Sequence, residues 1–230
     1  MSALLLVCMC VCVWVGGWGG ASCVSEMQRY DNSLCLQAAR LPSSVVYVAL
    51  TVCCPYSLPH FYSTFFYSKL TEDSKDNGRV VDSAYCYANV RRWTTRAKVN
   101  VFACELALIP INFSNTHWAL AKVSFDERKI YVYDSLGSGA SAERVYSTLH
   151  RWLRDEFVDK MPLGYDLCID SWVHARPQNS PRQKNGYDCG VFMLVNADFL
   201  SCGQEPDFKQ EHMGHFRSHL ARVCMRQRIE

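Results

Sequence analysis

The sequence predicts a mixed α+β domain, and three observations predict it. Short runs of strong β formers follow one another from residue 105. A stretch with apolar residues at helical spacing comes next, and a further strand and two helical stretches complete one compact block. "ELALIPINF" (105–113) and "HWALAKVSF" (117–125) read as strands, the second partly alternating before it turns at "DER". "KIYVYDSL" (129–136) is a third strand. Residues 141–160 carry Val145, Leu149, Trp152, Leu153 and Phe157 at helical spacing, with Ser141 as the expected N-cap. "SWVHARP" (171–177) reads as another strand, and the loop "QNSPRQKNG" leads to a helix opening at Cys189. A last helix is expected from near Asp207 towards Arg226.

A chain of 230 residues suggests one large domain or one and a half, and 49% hydrophobic residues can bury a full core. The net charge of +2 argues against a general nucleic-acid binder or a disordered chain; "VRRWTTRAK" is the main local basic run. Of the 13 cysteines, seven lie before residue 55 and six are scattered from Cys86 to Cys224. No pair has the C-x-x-C spacing that chelates zinc, so a structural metal site is not expected; no cofactor is expected either. The odd total and irregular spacing argue for a main domain that is reduced and intracellular.

Residues 1–57 differ from the rest: they contain no lysine, and "ALLLVCMCVCVWVGGWGGA" (3–21) carries no charge. A signal peptide cleaved after Ala21 lacks the expected basic start. A membrane anchor is interrupted by Gly16-Gly17 and is short for a span of roughly 20 residues. A faulty gene model is the third reading. The three stay open, with a boundary expected near Ser57.

The polar residues of the main block suggest chemistry. Cys189 lies in "RQKNGYDCGVFML" (182–194), at the entrance of the expected helix, where free N–H groups and the helix dipole favour a thiolate. His117 begins one strand and Asp134 ends the next. With a tight turn at Asp126-Glu127, Asp134 faces a position two residues beyond His117, on the same side of the sheet. A carboxylate there holds the imidazole tautomer while the other ring nitrogen takes the thiol proton. Singly, each residue has a commoner structural explanation, a cysteine most often being a small core hydrophobe. The order His, Asp, Gly-flanked Cys supplies base, orienter and nucleophile together.

These residues resemble a known family, the SUMO-specific cysteine proteases of the Ulp or sentrin-protease type. The resemblance runs through "FYSTFFYSKL" (61–70), "VRRW" (90–93), "IPINFSNTHWAL" (109–120), "IYVYDSLG" (130–137), "QKNGYDCGVF" (183–192) and "DFKQEHMGHFRSHL" (207–220). It implies the Ulp/adenain-type variant of the papain-like cysteine protease fold, an α+β domain with a central mixed sheet flanked by helices. It implies His117, Asp134 and Cys189 as catalytic triad. Gln183 matches the oxyanion-hole glutamine, with the Cys189 backbone N–H as second donor. Trp118 matches the tryptophan over the tunnel for the modifier's Gly-Gly end, and Arg92 and Trp93 match the motif that contacts its tail. The implied reaction is acyl transfer after the C-terminal Gly-Gly of SUMO, in deconjugation and precursor processing. A monomer in the nucleus, nuclear periphery or cytoplasm is expected, with membrane contact only through residues 3–21.

Two departures stand out. No counterpart of the family's upstream "W-L-N-D-E" segment, which carries a second tunnel tryptophan, occurs in residues 1–60. The loop "PQNSPRQKNG" holds a short insertion, making Gln178 a rival to Gln183. The alternatives are a protease for another ubiquitin-like modifier, a truncated or non-catalytic modifier-binding protein, or a secreted Cys-rich protein.

Overall fold

The computed structural model describes residues 59–72, 74–76, 79–82, 84–137 and 139–229. The readings of residues 1–57 and of the upstream groove segment therefore lie outside the described residues. The elements, in chain order, are β1 (His60–Phe61), α1 (Phe66–Leu70), β2 (Ser74–Asp76), β3 (Arg79–Asp82), α2 (Trp93–Ala97), β4 (Leu106–Phe113), β5 (His117–Ser124), β6 (Lys129–Tyr133), α3 (Gly139–Lys160), β7 (Val173–Ala175), α4 (Cys189–Ser201) and α5 (Met213–Ile229).

Five strands form one mixed sheet in the order β1-β4-β5-β6-β7. The pairs β4–β5 and β5–β6 are antiparallel, while β1 and β7 run parallel to their neighbours. The strands β2 and β3 form a separate antiparallel pair. Alternate residues of the central strands serve two cores, as the period of two requires. Ala107, Ile109, Ile111, Ala121, Val123, Ile130 and Val132 pack with Val145, Leu149, Trp152 and Leu153 of α3. Leu106, Leu108, Leu120 and Tyr133 pack with Met193, Leu194, Ala197 and Leu200 of α4. Because both faces are covered, "LALIPI" is buried without interruption and does not alternate in polarity.

The outer side of α4 is covered as well. Val191, Phe192 and Val195 meet Phe208, Met213 and Phe216 around α5. A helix pressed between a sheet and another helix must be apolar nearly all round, which explains "VFMLV" directly after Cys189. The helix that opens at Cys189 is thus fixed on two sides, and so is its first residue.

Several boundaries differ from expectation. The strand at 129–136 ends at Tyr133, and Asp134 begins the following turn, its carboxylate accepting from the Leu136 N–H at 2.9 Å. The helix expected at 141 begins at Gly139, so Ser141 lies inside it. The strand expected over 171–177 shortens to Val173–Ala175, preceded by a 3-10 turn at Ile169–Ser171. The last helix begins at Met213, after a 3-10 turn at Gln210–His212. Phe208, ahead of that turn, is drawn into contact with Phe192, Phe199 and Phe216.

Candidate active site

Two turns place the histidine and the aspartate. The β4–β5 connection is only Ser114, Asn115 and Thr116, with Ser114 and Asn115 both at positive φ, and Phe113 pairs directly with His117. The two rings lie nearly parallel, 6.1 Å apart. In the next hairpin Leu120 pairs with Tyr133, so the same register continued by one residue sets Asp134 opposite Ala119. That is two residues beyond His117, as the sequence predicts. No Gly or Asn makes this turn. Arg128 takes the left-handed conformation (φ 55°), and Glu127 anchors the turn by accepting from Ser124 Oγ at 3.2 Å and Tyr131 Oη at 2.5 Å.

His117 Nε2 and Asp134 Oδ1 are 2.6 Å apart. With Nε2 so engaged, Nδ1 is the ring nitrogen left for the Cys189 thiol, to which the imidazole is hydrogen-bonded. Burial alone pulls the imidazole towards neutrality, but the bonds to Asp134 and Cys189 outweigh it and push its pKa up to about 9. Burial raises the thiol, and the bond from His117 together with backbone N–H groups of Trp118 and Gly190 brings it below its usual value. Both shifts favour a thiolate–imidazolium pair. The His117 and Asp134 side chains are 12% and 7% exposed, so the pair is largely shielded from solvent.

Gln183 joins the same circuit through Ser135, the neighbour of Asp134. Ser135 Oγ donates to Gln183 Oε1 at 2.6 Å, and the Gln183 N–H donates to the Ser135 carbonyl at 3.1 Å. The amide nitrogen bonds the Asn185 carbonyl with one of its two hydrogens. Gln178 lies exposed on the loop before it. Arg182 closes over the same turn: its Nη1 donates to the Asp134 carbonyl at 3.2 Å, and its guanidinium fills the space a Cβ on Gly137 would need. Gly137 also has φ +76°, so that turn excludes side chains twice over.

Trp118 follows His117 on β5, half-buried, and packs against the Leu106–Leu108–Leu120 cluster. Arg92 and Trp93 lie outside the His117–Asp134–Gln183–Cys189 circuit. Arg92 is exposed at the N-cap of α2, while the Trp93 ring packs edge-on against Phe66, 5.6 Å away. Their segment is tied to the C-terminal half of α3. Thr94 Oγ1 donates to the buried Glu156 at 2.5 Å, Tyr87 Oη donates to the same carboxylate at 2.7 Å, and Arg91 Nε donates to Asp159 at 2.8 Å. Among the described residues no cluster of His, Cys, Asp and Glu is arranged to hold a metal, and no helix is long and apolar enough to cross a membrane.

Sequence reasoning gave no role to Ser135, Asn185, Asp188, Gln210 or Arg217. Asn185-Gly186 is a turn signal, and the Asn185 side chain does accept from the Tyr187 and Asp188 N–H groups at 3.2 and 3.1 Å. Nothing in the primary pattern points to Gln210 or Arg217, which reach this loop only through the packing of α5 on α4.

The arrangement can be set beside known proteins. The chain matches the family described as Ulp1 protease family, C-terminal catalytic domain, over residues 57–228. It is 37% identical over 173 residues to the ubiquitin-like-specific protease ESD4 of Arabidopsis thaliana, covering 74% of this chain and 32% of that protein. It is 32% identical over 176 residues to sentrin-specific protease 2 of Homo sapiens, covering 76% of this chain and 27% of that protein. The chain thus spans about a quarter to a third of the length of these relatives. The fold is like that of the C-terminal Ulp1 protease domain solved in complex with Smt3, the yeast ortholog of SUMO. There the TM-score is 0.63 at 21% identity, covering 93% of this chain and 97% of that one. The match over residues 57–228 and the extent of these identities establish that the chain belongs to the Ulp1 protease family.

Proposed function

We propose that the chain is a thiol protease that cleaves after the C-terminal Gly-Gly of SUMO, releasing it from lysine conjugates and trimming its precursor. The observation that carries this reading is one imidazole bonded both to Asp134, at 2.6 Å, and to a thiol at the mouth of α4. The similarity to sentrin-specific protease 2 and the Smt3 complex of the Ulp1 domain support SUMO as the modifier. The reading takes residues 58–230 as the catalytic unit. It involves no metal, cofactor or nucleic acid and has a monomer at work in the nucleus, its periphery or the cytoplasm.

In this mechanism the Cys189 thiolate attacks the carbonyl of the last glycine. The imidazolium of His117 gives its proton to the departing lysine amine or peptide nitrogen, leaving a thioester. Water, activated by the now neutral imidazole, releases the glycine carboxylate and restores the thiolate–imidazolium pair. Asp134 keeps the ring oriented and its cation stable. The second N–H of the Gln183 amide and the backbone N–H of Cys189, one of the unpaired donors at a helix start, stabilise the oxyanion. Trp118 covers the passage for the two glycines. The exposed Arg92 meets the modifier's tail, beside Trp93 wedged on Phe66.

The test is to incubate the full chain with a SUMO carrying a C-terminal electrophile and to map the adduct by mass spectrometry. An adduct at Cys189 is expected. Labelling only by a different modifier's probe would overturn the substrate assignment, and no adduct with any probe would overturn the protease reading. Gln183→Ala is expected to lower kcat by about 10²–10³ with KM little changed, as loss of one oxyanion donor does. Unchanged steady-state cleavage would remove Gln183 from that role.

A further inference from the structure

Asp188 stands at the N-cap of α4, immediately before Cys189, yet its carboxylate caps nothing. An N-cap aspartate ordinarily turns onto the first N–H groups of its helix. Here the carboxylate is drawn the other way by three donors. Arg217 Nε lies 2.6 Å from Oδ1, while Asn185 Nδ2 and Gln210 Nε2 each lie 2.7 Å from Oδ2. Arg217 Nη2 also holds the Tyr187 carbonyl at 2.8 Å, and Gln210 Oε1 accepts from the Lys184 N–H at 2.7 Å. The Arg217 and Asp188 side chains are 14% and 4% exposed, so this ion pair is largely withdrawn from solvent.

Two physical consequences meet at the neighbouring thiol. With the carboxylate held away, the N–H groups at the start of α4 stay available, and that of Gly190 is used by the Cys189 sulfur. A buried carboxylate beside a thiol would also oppose thiolate formation, and a bonded guanidinium cancels that charge. The charged group bonded to the thiol is His117, itself paired with Asp134. At the rim Lys184 pairs with Glu211 at 3.2 Å, and the Tyr187 ring lies 5.6 Å from the Arg217 guanidinium. His215 and His219 sit two residues either side of Arg217 on α5, on other faces of the helix.

We propose that Arg217, acting through Asp188, is a positioning residue that sets the thiolate character of Cys189: it keeps the carboxylate off the nucleophile's helix start and neutralises its charge. This rests on Cys189 being the nucleophile but not on the identity of the modifier.

The experiment measures the rate of iodoacetamide alkylation at Cys189 against pH, by peptide mass spectrometry on the full chain, with circular dichroism as a check on folding. Arg217→Gln leaves Asp188 uncompensated, and the midpoint of the profile is expected to rise by roughly half a unit to one unit. Asp188→Asn leaves the cation uncompensated, and the midpoint is expected to fall. Arg217→Lys keeps the charge, and its midpoint is expected to stay near the parent's even where thermal stability drops. Opposite shifts cannot come from loosened packing, which moves both variants alike. Shifts of the same sign, or an unshifted Asp188→Asn, would overturn the proposal. Should Arg217→Gln fail to fold, Asp188→Asn and Arg217→Lys decide it. Because no modifier takes part, a failure here is distinct from a failure of SUMO cleavage.

Discussion

Cys189→Ser is expected to abolish SUMO cleavage while SUMO still binds. The site around residue 189 is built for a sulfur anion: an imidazolium partner, the Trp118 and Gly190 N–H groups, and a helix start all stabilise the negative charge left when the thiol loses its proton. A hydroxyl in the same place ionises only at far higher pH, and the shorter C–O bond draws the oxygen back from His117. Loss of a nucleophile costs about 10⁴-fold or more in rate in the protease precedents. The loss of binding is expected to be slight, because Cys189 is only 7% exposed and offers a partner little surface. Gel-based cleavage and calorimetric titration on the same preparation measure the two halves of this result. Residual cleavage near the parent rate would place the nucleophile elsewhere, and lost binding would make Cys189 a structural residue.

Asp134→Asn is expected to lower kcat by roughly 10²–10⁴ and to move the alkaline limb of the pH–rate profile. Burial draws the His117 pKa down, and the bonds to Asp134 and Cys189 more than reverse it, to about 9. A raised pKa means the imidazolium persists below about 9 and is lost as pH rises through that value. Cys189, with its pKa lowered, becomes a thiolate at lower pH than an ordinary cysteine. The active form therefore lies between the thiol's lowered value and about 9. Removing the Asp134 charge takes away support for the cation while burial remains, so the alkaline limb moves to lower pH. The side-chain amide that replaces the carboxylate can also donate to Nε2 and stabilise the wrong tautomer. A full pH profile of kcat/KM tests both parts, and an unmoved alkaline limb would mean that Asp134 does not support the His117 cation.

Much of this was legible in the primary structure, for identifiable reasons. The strands at 105–113 and 117–125 are marked by uninterrupted β formers, and they form with only the end residues trimmed. The helix at Cys189 is marked by Gly-flanked turn residues followed by an apolar run, and it begins at that residue. The juxtaposition of His117 and Asp134 follows from hairpin arithmetic once the turn is tight. What made the turn tight was hidden: Glu127 collecting Ser124 and Tyr131, and Arg128 adopting a left-handed backbone that no local glycine announced. The start of the last helix was misplaced at Asp207. There the local pattern was overruled by Phe208, which turns into a cluster with residues from α4 and α5.

By itself the sequence determined the chemistry on offer: a thiol at a helix entrance, an imidazole at a strand start, a carboxylate one hairpin later, and a glutamine six residues before the thiol. These are local facts, set by spacing along one chain, and a period of two or 3.6 carries them into space. Only the tertiary structure decided how the groups are held. Ser135 ties Gln183 to the turn at Asp134, Arg182 closes over Gly137, and Arg217 and Gln210 bond the Asp188 carboxylate beside Cys189 in the chain. Those partners lie 22 to 48 residues apart in the chain. No periodicity reaches that far; they meet because burying both faces of the sheet and both sides of α4 leaves them no other arrangement.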